Sequence, residues 1–480
     1  MTYYAVPTSA DDRSNKALVP VRLRNVTIRP TAGGSHRGSG FAAVSRPGLV
    51  RRATPNPGNH VRGLFAEKGV HGGDLFTVAG FALYRVNIAW DTATLGSVFG
   101  TDAALFEALL SNLTMVANGS IFEYDGVSFT TVTDADAPSP AETLAIIGQR
   151  AVVSQRNTDI ESWCAVADVT DWPALGFASA ELSADPTVAT VVIGPNLVIL
   201  GANTLQIFNS VGGNDEEAFQ PDPTYLKHLG CLRRDTLAVV DESPMFIGDD
   251  RVLYRLEAFQ PQRVINRALN ERLAALSESQ VDQLRCFAYT WREKALYCIR
   301  MPDGGPSIEY DAELGVFYER TSFERDNYLP GFACDFNGSV VVAGPEDDGL
   351  YTFEDDAFED DGEPIERVIT FHVPVAGPLT INSIVFDIKC VDQPLQDDDG
   401  NDFAPKMMTR YYFDGGSLDS VTEWSDERTI DLPAAGDYGI PQPETRFGLA
   451  RGPAGFLIEC RITEPLRFAF FGIWVNELPE

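Results

Sequence analysis

Short apolar segments separated by turn pairs dominate residues 70–355. Leu75-Phe76-Thr77-Val78 is followed by Gly80 and then by Phe81 to Val86. Met115-Val116-Ala117 runs into Asn118-Gly119, Ile121-Phe122-Glu123-Tyr124 into Asp125-Gly126, and Phe129 to Val132 follows. Asn-Gly and Asp-Gly supply the positive φ angles of tight hairpins, so the pattern predicts an antiparallel meander. The same order returns at 191–208, 236–256, 286–310 and 339–353. The aromatics that close each unit are Tyr84, Tyr124, Trp163, Phe208, Tyr254, Tyr310 and Tyr351, spaced by 40, 39, 45, 46, 56 and 41 residues. Propeller blades repeat at about 40 to 50 residues, and a ring of them hides the edges of their sheets. An all-β chain with a degenerate β-propeller of six or seven blades is therefore predicted over 61–355. A sandwich or an irregular barrel is the alternative.

Two helical insertions are expected. One is Asp102 to Leu110, which is apolar on one side. The other lies near 266–285, where Leu269, Leu273 and Leu276 share a helical face and Ser277-Glu278-Ser279-Gln280 fits a capping box. Beyond the propeller, Arg367 to Phe371, Leu379 to Ile388, Met408 to Phe413, Phe456 to Ile462 and Phe468 to Val475 alternate like strands. They predict a β-sandwich-like domain over 367–480.

Charge divides the 480 residues unevenly. The chain has 69 acids against 37 basic residues, a net charge of −32, yet residues 1–60 carry nine basic residues and only Asp11 and Asp12. This Gly-, Ser- and Pro-rich stretch reads as an extended N-terminal arm, with Arg22, Arg24, Arg29 and Arg46 as candidates for docking on a neighbouring subunit or adaptor. The plainer alternative is a loop that neutralises the chain's own acids, and docking on DNA is a weaker third. Residues 346–366 hold eleven acids and no base. They mark a domain boundary, with 356–366 as an acidic linker. Asp347, Asp348, Asp355, Asp356, Asp360 and Asp361 are candidates for a channel wall or a solvated loop.

The overall acidity argues against a protein that grips nucleic acid or an anionic membrane. No run approaches the roughly 18 to 20 apolar residues of a membrane helix, so no membrane insertion is expected. Met1 to Ala10 lacks the basic and apolar regions of a secretory signal, which predicts synthesis in the cytoplasm. Seven dispersed cysteines without a C-x-x-C read as buried free thiols, and five scattered histidines suggest no metal cluster. Nucleotide, zinc-protease and serine-hydrolase motifs are absent. Loops at Gly349, Gly362 and Gly400 fail the EF-hand pattern, because Gly344, Ala357 and Leu395 stand where the first ligand should be. Non-EF calcium sites stay open. No carboxylate pair stands out from 69 acids, and no enzyme activity, cofactor or catalytic residue is expected.

The order of segments resembles the tail hub, or nozzle, proteins of short-tailed phages, also described as packaged-DNA stabilisation proteins. The likeness covers most of the chain. Its residues are Gly40-Phe41 with Arg46-Pro47-Gly48-Leu49, Ser162-Trp163, Ala167-Asp168, Phe177 to Glu181, and Asp185-Pro186. Gly194 to Gly201 with Thr204 to Phe208 follows, then Pro244 to Leu256, Ile265 to Ser279, Trp424 to Arg428, and Phe471 to Trp474. The resemblance implies a structural virion protein of the tail. It implies a homohexamer ring below the portal and its adaptor ring, with a needle, plug, tailspike or fibre as further neighbours, and double-stranded DNA passing without sequence-specific contact. A glycan-binding or depolymerase propeller is the competing class. A hub of the WD type is weakened by the lack of a recurring W-D signature.

Overall fold

The computed structural model describes residues 2–7, 22–31, 40–180, 185–212, 215–302, 304–374, 379–381, 383–391, 395–396, 402–403, 405–413, 425–432, 444–445, 450–452 and 455–475. Among the nine basic residues of 1–60, Arg13, Lys16 and Arg37 lie outside these residues, as do Asp11, Asp12, Glu181 and Trp424 of the sequence analysis. The chain divides into two units: a propeller unit of 51–302 and 329–352, and a sandwich unit of 1–50, 303–328 and 353–480.

Five complete four-stranded antiparallel sheets follow one another in the propeller unit. Their first strands are Val61–Ala66, Leu105–Leu109, Ala145–Ile147, Thr187–Ile193 and Ala238–Val240. A sixth repeat enters with the hairpin Arg285–Trp291 and Lys294–Arg300. In the seventh, the meander Phe332–Phe336, Ser339–Ala343 and Leu350–Glu354 takes its fourth strand, Gly48–Ala53, from the other end of the sequence. First strands adjoin from the first repeat to the fourth and from the fifth to the seventh, the fourth and fifth share a core of Val191, Leu200, Phe246 and Tyr254, and Phe332–Phe336 returns to Val61–Ala66, so the ring closes. The core lies between sheets. Phe76, Val78 and Leu83 of the first repeat pack on Leu113, Met115 and Tyr124 of the second. Val61, Leu75 and Val86 pack on Phe336, Val341 and Leu350 of the seventh, which is how the last sheet meets the first. Five of the seven ruler aromatics stand in the third strand of a four-stranded sheet, Tyr351 stands in the third strand of the six-stranded sheet that closes the ring, and Tyr310 lies in the sandwich unit's strand Ser307–Asp311.

Turn chemistry behaves as expected at Asn118-Gly119, where φ is 48° and 77° and the strands on either side pair without interruption. The helix expected over Asp102 to Leu110 is instead the strand Leu105–Leu109, paired along its length with Asn112–Ala117. Its Ala and Leu content favours a helix locally, but the cross-strand ladder and the inter-sheet core override that preference. The second insertion is helical, Arg267–Ala275 and Glu278–Val281. Asn266 Oδ1 caps the first helix at Leu269 N, and the Arg251 guanidinium caps its far end on the Leu276 carbonyl at 2.6 Å.

The sandwich unit contains more than the 367–480 segment, because the basic N-terminal stretch is built into it. Residues 22–53, expected as an extended arm, contribute strands Leu23–Arg24, Val26–Pro30, Phe41–Ser45 and Gly48–Ala53. Leu23–Arg24 lies between Val316–Arg320 and Arg367–Pro374, and the same sheet continues through Gly455–Ile462 and Lys406–Phe413. The facing sheet runs Val26–Pro30, Phe41–Ser45, Arg467–Val475 and Ile384–Val391, with Thr2–Ala5 also on Arg467–Val475. Phe371 of one sheet meets Phe470 of the other edge-on at 5.2 Å, with Phe386 at 6.3 Å from Phe470. The alternation Val26-Thr27-Ile28, hidden among Gly and Pro, is the signal that the composition masked.

Trp163 tests the inter-sheet core. It is 1% exposed, donates from Nε1 to the Asp215 carbonyl at 2.7 Å and meets Phe219 edge-on at 5.2 Å. Trp163→Ala is expected to lower the unfolding free energy in urea by roughly 3–5 kcal/mol. Val127→Ser, at a fully exposed turn, should change it by less than about 0.5 kcal/mol.

Candidate functional site

The basic stretch and the acidic run, far apart in sequence, meet. Asn25 adopts a left-handed φ of 53° between two short strands, which turns its side chain toward Arg46. Arg46 is 2% exposed. Its two terminal nitrogens donate to the two oxygens of Asp360 at 2.9 and 2.5 Å, and Nε donates to Asn25 Oδ1 at 3.0 Å. The Thr321 carbonyl accepts a further bond at 3.2 Å, and the Tyr328 ring lies 4.9 Å from the guanidinium carbon. This fork-on-fork pairing is the strong form of the arginine–carboxylate contact. It also corrects two expectations. Arg46 is inside the sandwich unit and presents nothing to a partner, and Asp360, buried at 7% exposure with both oxygens on Arg46, is not available for a channel wall.

The other candidates are paired within the chain as well. Arg24 reaches Glu319 at 3.2 Å and Glu366 at 3.3 Å, Arg29 reaches Asp355 at 4.0 Å, and Arg22 reaches Glu459 at 4.0 Å. Asp356 pairs with Arg467 at 2.5 Å, and the Asp361 amide donates to the Leu49 carbonyl at 2.7 Å. In the propeller unit, Arg51 holds Asp348 at 2.9 Å and Asp347 at 3.7 Å. The Gly58 amide at 2.7 Å, followed by Arg51, keeps the Asp348 carboxyl below its usual range. The segment 356–366 is not a free linker: Glu359–Asp360 and Glu363–Pro364 form a small hairpin, and Asp360 pairs in parallel with Leu49. Within the chain, Arg22, Arg24, Arg29 and Arg51 each lie within 4.0 Å of an acid of the chain itself.

Sequence reasoning missed a set of buried arginines. Arg320 donates to Glu309 by Nε at 3.1 Å and again by a terminal nitrogen, and to the Val26 carbonyl at 2.8 Å. Arg367 donates to Ser45 Oγ at 2.8 Å and to the carbonyls of Ile365, Glu464 and Phe358; burial, then the charge of Arg46, pulls it down to about 9. In the propeller unit Arg62 donates to the carbonyls of Asp102, Gly80 and Val98. Arg150 bonds the Cys164 carbonyl at 2.7 Å and also reaches Asp215, and Arg300 pairs with Glu346 at 3.0 Å. The only sequence signal for these is a charged residue at an apolar position of a strand pattern.

Two carboxyls lack such company. Glu161 is fully buried, neither of its oxygens accepts a well-formed hydrogen bond among the described residues, and burial, opposed only in part by the nearby Thr187 hydroxyl, pushes it up to about 8. Glu107 rises to about 7 through burial and then the charge of Glu67. Burial likewise raises the thiols, Cys164 and Cys231 to about 11 and Cys286 to about 12, so these are poor nucleophiles at neutral pH. Among the described residues no group of three or more His, Cys, Asp or Glu could hold a metal ion, and no helix is long and apolar enough to cross a membrane.

A family model described as bacteriophage P22 Gp10, β-propeller, matches residues 19–317. A search of curated proteins returned no match. Solved structures are similar to this chain at low identity. PorZ of Porphyromonas gingivalis is 15% identical with a TM-score of 0.38 over 66% of this chain, which spans 38% of PorZ. The Neurospora crassa Pan2 WD40 domain is 9% identical at 0.41, over 64% of this chain and 94% of that one. The extracellular domain of the putative one component system BT4673 of B. thetaiotaomicron is 11% identical at 0.44, over 87% and 57%.

Asp360→Asn should cost roughly 3–5 kcal/mol in urea unfolding, because it leaves Arg46 buried without its counter-charge, and Arg46→Met with Asp360→Leu should recover most of that loss. Asp348→Asn, at a partly exposed pair, should cost less than about 1 kcal/mol. Glu161 sets a pH trend of defined sign. The folded state keeps its proton up to about pH 8 while the unfolded chain releases it near the ordinary 4.5, so stability is highest at low pH and falls as pH rises between these values. Glu161→Gln should remove that fall, gaining roughly a few kcal/mol over the wild type at pH 8 and little at pH 4. A difference that stays constant across this range would show that Glu161 ionises normally.

Proposed function

This chain belongs to the phage-stabilisation family described by the bacteriophage P22 Gp10 β-propeller, and from that premise we propose that it is the tail hub, or nozzle, of a short-tailed phage. In this reading it is synthesised in the host cytoplasm and built into the virion as a non-enzymatic component. Six copies form a ring below the portal and adaptor rings, hold the packaged double-stranded DNA, and conduct it at ejection. The family match over 19–317, which spans most of the closed ring of sheets, is the observation that carries the reading.

The electrostatics suit that role. At −32 per copy, six copies carry roughly −190 charges, and a wall of that sign repels phosphates. Screening limits the repulsion to about 8 Å at physiological ionic strength, so DNA is kept from sticking without being held at a distance. The partly exposed carboxylates Asp347, Asp348, Asp355, Asp356 and Asp361 are the proposed contributors from the acidic run. Arg22 and Arg29 keep about a third of their side chains exposed, at 34% and 32%, and are the proposed contacts to an adjoining subunit or the adaptor. A needle, plug, tailspike or fibre would meet the ring elsewhere.

Immunogold electron microscopy of purified particles tests the reading. Antibody against this chain should mark the single tail vertex, and gels of the particles should contain the 52.4 kDa chain. Label along projecting fibres would overturn the hub assignment in favour of a glycan-binding propeller. Absence from particles would overturn the virion role altogether.

A further inference from the structure

One end of the propeller unit carries apolar side chains that neither its core nor the reading above uses. In each antiparallel meander, the turns joining the first strand to the second and the third to the fourth lie at the same end of the sheet. Contacts join these ends across the first four repeats. His71 Nε2 meets the Tyr124 carbonyl at 3.0 Å, Leu109 shares a core with Val169 and Trp172, and Trp163 Nε1 donates to the Asp215 carbonyl. The turns on this surface hold Ile88, Leu110, Val127, Val166, Leu175 and Val211, all between 46% and 93% exposed. They are half of the twelve large apolar residues that are exposed among the described ones, whereas the turns at the opposite end of these four repeats expose Phe81 and Phe99. Leu110 is also held at a φ of 59°, a left-handed turn position that suits Gly or Asn better than Leu.

Charge narrows what covers this surface. Among the described residues the same turns expose Glu67, Asp91, Asp125, Asp168, Asp171, Glu216 and Glu217 against one exposed base, Lys68, while Arg85 is spent on Asp74 and Arg150 on Asp215. Acids and aliphatics are interspersed, with Asp91 after Ile88, Asp125 before Val127 and Asp168 after Val166. Nucleic acid and anionic membranes are repelled by such a surface. A single metal ion does not fit it, because among the described residues no three of His, Cys, Asp and Glu could hold one. A second copy placed face to face would oppose like charges. The arginines at the other end of the unit are already matched, Arg156 and Arg234 with Glu142 and Arg251 with Glu278. The complement is a row of cations spaced like the turns, with apolar side chains between them. We propose that this end of the propeller unit docks a basic, aliphatic segment of another protein, with Lys or Arg on the acidic turns and Leu, Ile or Val on Ile88, Leu110, Val127 and Leu175. The proposal does not rest on the hub reading, and its failure would leave that reading untouched.

Fluorescence anisotropy with labelled peptides of about 16 residues tests this on the full chain at about 150 mM salt, where long-range attraction is screened. One peptide intersperses Leu with Lys, a second replaces each Leu by Ser, and a third replaces each Lys by Glu. The Leu/Lys peptide should bind at least about tenfold more tightly than either of the others. Leu110→Ser with Leu175→Ser should weaken it at least about fivefold, while Phe81→Ser with Phe99→Ser, at the opposite end, should change it by less than about twofold. Equal affinity for the Leu/Lys and Ser/Lys peptides would overturn the proposal, because charge alone would then account for binding. So would equal affinity for the Leu/Glu peptide, or no binding of the Leu/Lys peptide at about 1 mM. An unchanged affinity after substitution of Leu110 and Leu175, or an equal loss after substitution of Phe81 and Phe99, would overturn it too. Should the Leu110 and Leu175 substitutions prevent folding, amide hydrogen exchange of the wild type decides. The Leu/Lys peptide should protect the turns of Leu110, Val127 and Leu175, and protection confined to other turns would sink the assignment.

Discussion

The sandwich unit depends on one buried charge pair, Arg46 with Asp360, whose members stand 314 positions apart. Removing two charges from water costs several kcal/mol each, and only near-complete hydrogen bonding offsets that. Here the partners come from separate stretches of the chain: Asn25 and Arg46 from the N-terminal segment, Thr321 and Tyr328 from the middle, and Asp360 from the acidic run. A misregistered strand would strand a charge in the interior, so the pair specifies register as well as adding stability. Gly48 shows how close the packing is. A Cβ there would fall 2.3 Å from the Glu359 carbonyl oxygen and 2.6 Å from that of Ala357.

Repetition made the propeller legible. Hairpin turns and a recurring closing aromatic report local geometry, and both survive degenerate sequence because each repeat needs a third strand that packs on its neighbour. Tyr84, Trp163 and Phe208 mark such strands directly. The errors arose where local and tertiary preferences part. Leu105–Leu109 has helix-forming residues but gains more from a ladder with Asn112–Ala117. Arg24 sits in a Gly- and Pro-rich text that reads as an arm, yet the strand that holds it pairs with segments some 300 residues away, and no local pattern encodes such a partner. The buried arginines were out of reach for the same reason, since a lone charge in an apolar strand does not name the carbonyl that receives it.

Those arginines share a logic. Arg62, Arg150, Arg320 and Arg367 each spend donors on backbone carbonyls, and Arg46 and Arg300 pair with acids while buried. A guanidinium stays charged in surroundings that would neutralise a lysine, and its fork can serve several carbonyls at once. It therefore ties loops to strands where a lysine could not, which suits a chain with 31 arginines and six lysines. Buried pairs of this kind are also screened far less by salt than surface pairs.

The distribution of charge follows from this arrangement. Double-stranded DNA binds wherever exposed arginines and lysines can neutralise its phosphates, and each such contact adds to retention. A hub past which DNA must slide needs cations for its own folding but must deny them to the passing polyanion. In this chain many arginines are turned inward onto carbonyls or matched to the acidic run, while carboxylates such as Asp356 and Asp361 remain toward solvent. Folding and the proposed passage of DNA then make the same demand on sequence: positive charge consumed inside, negative charge left outside.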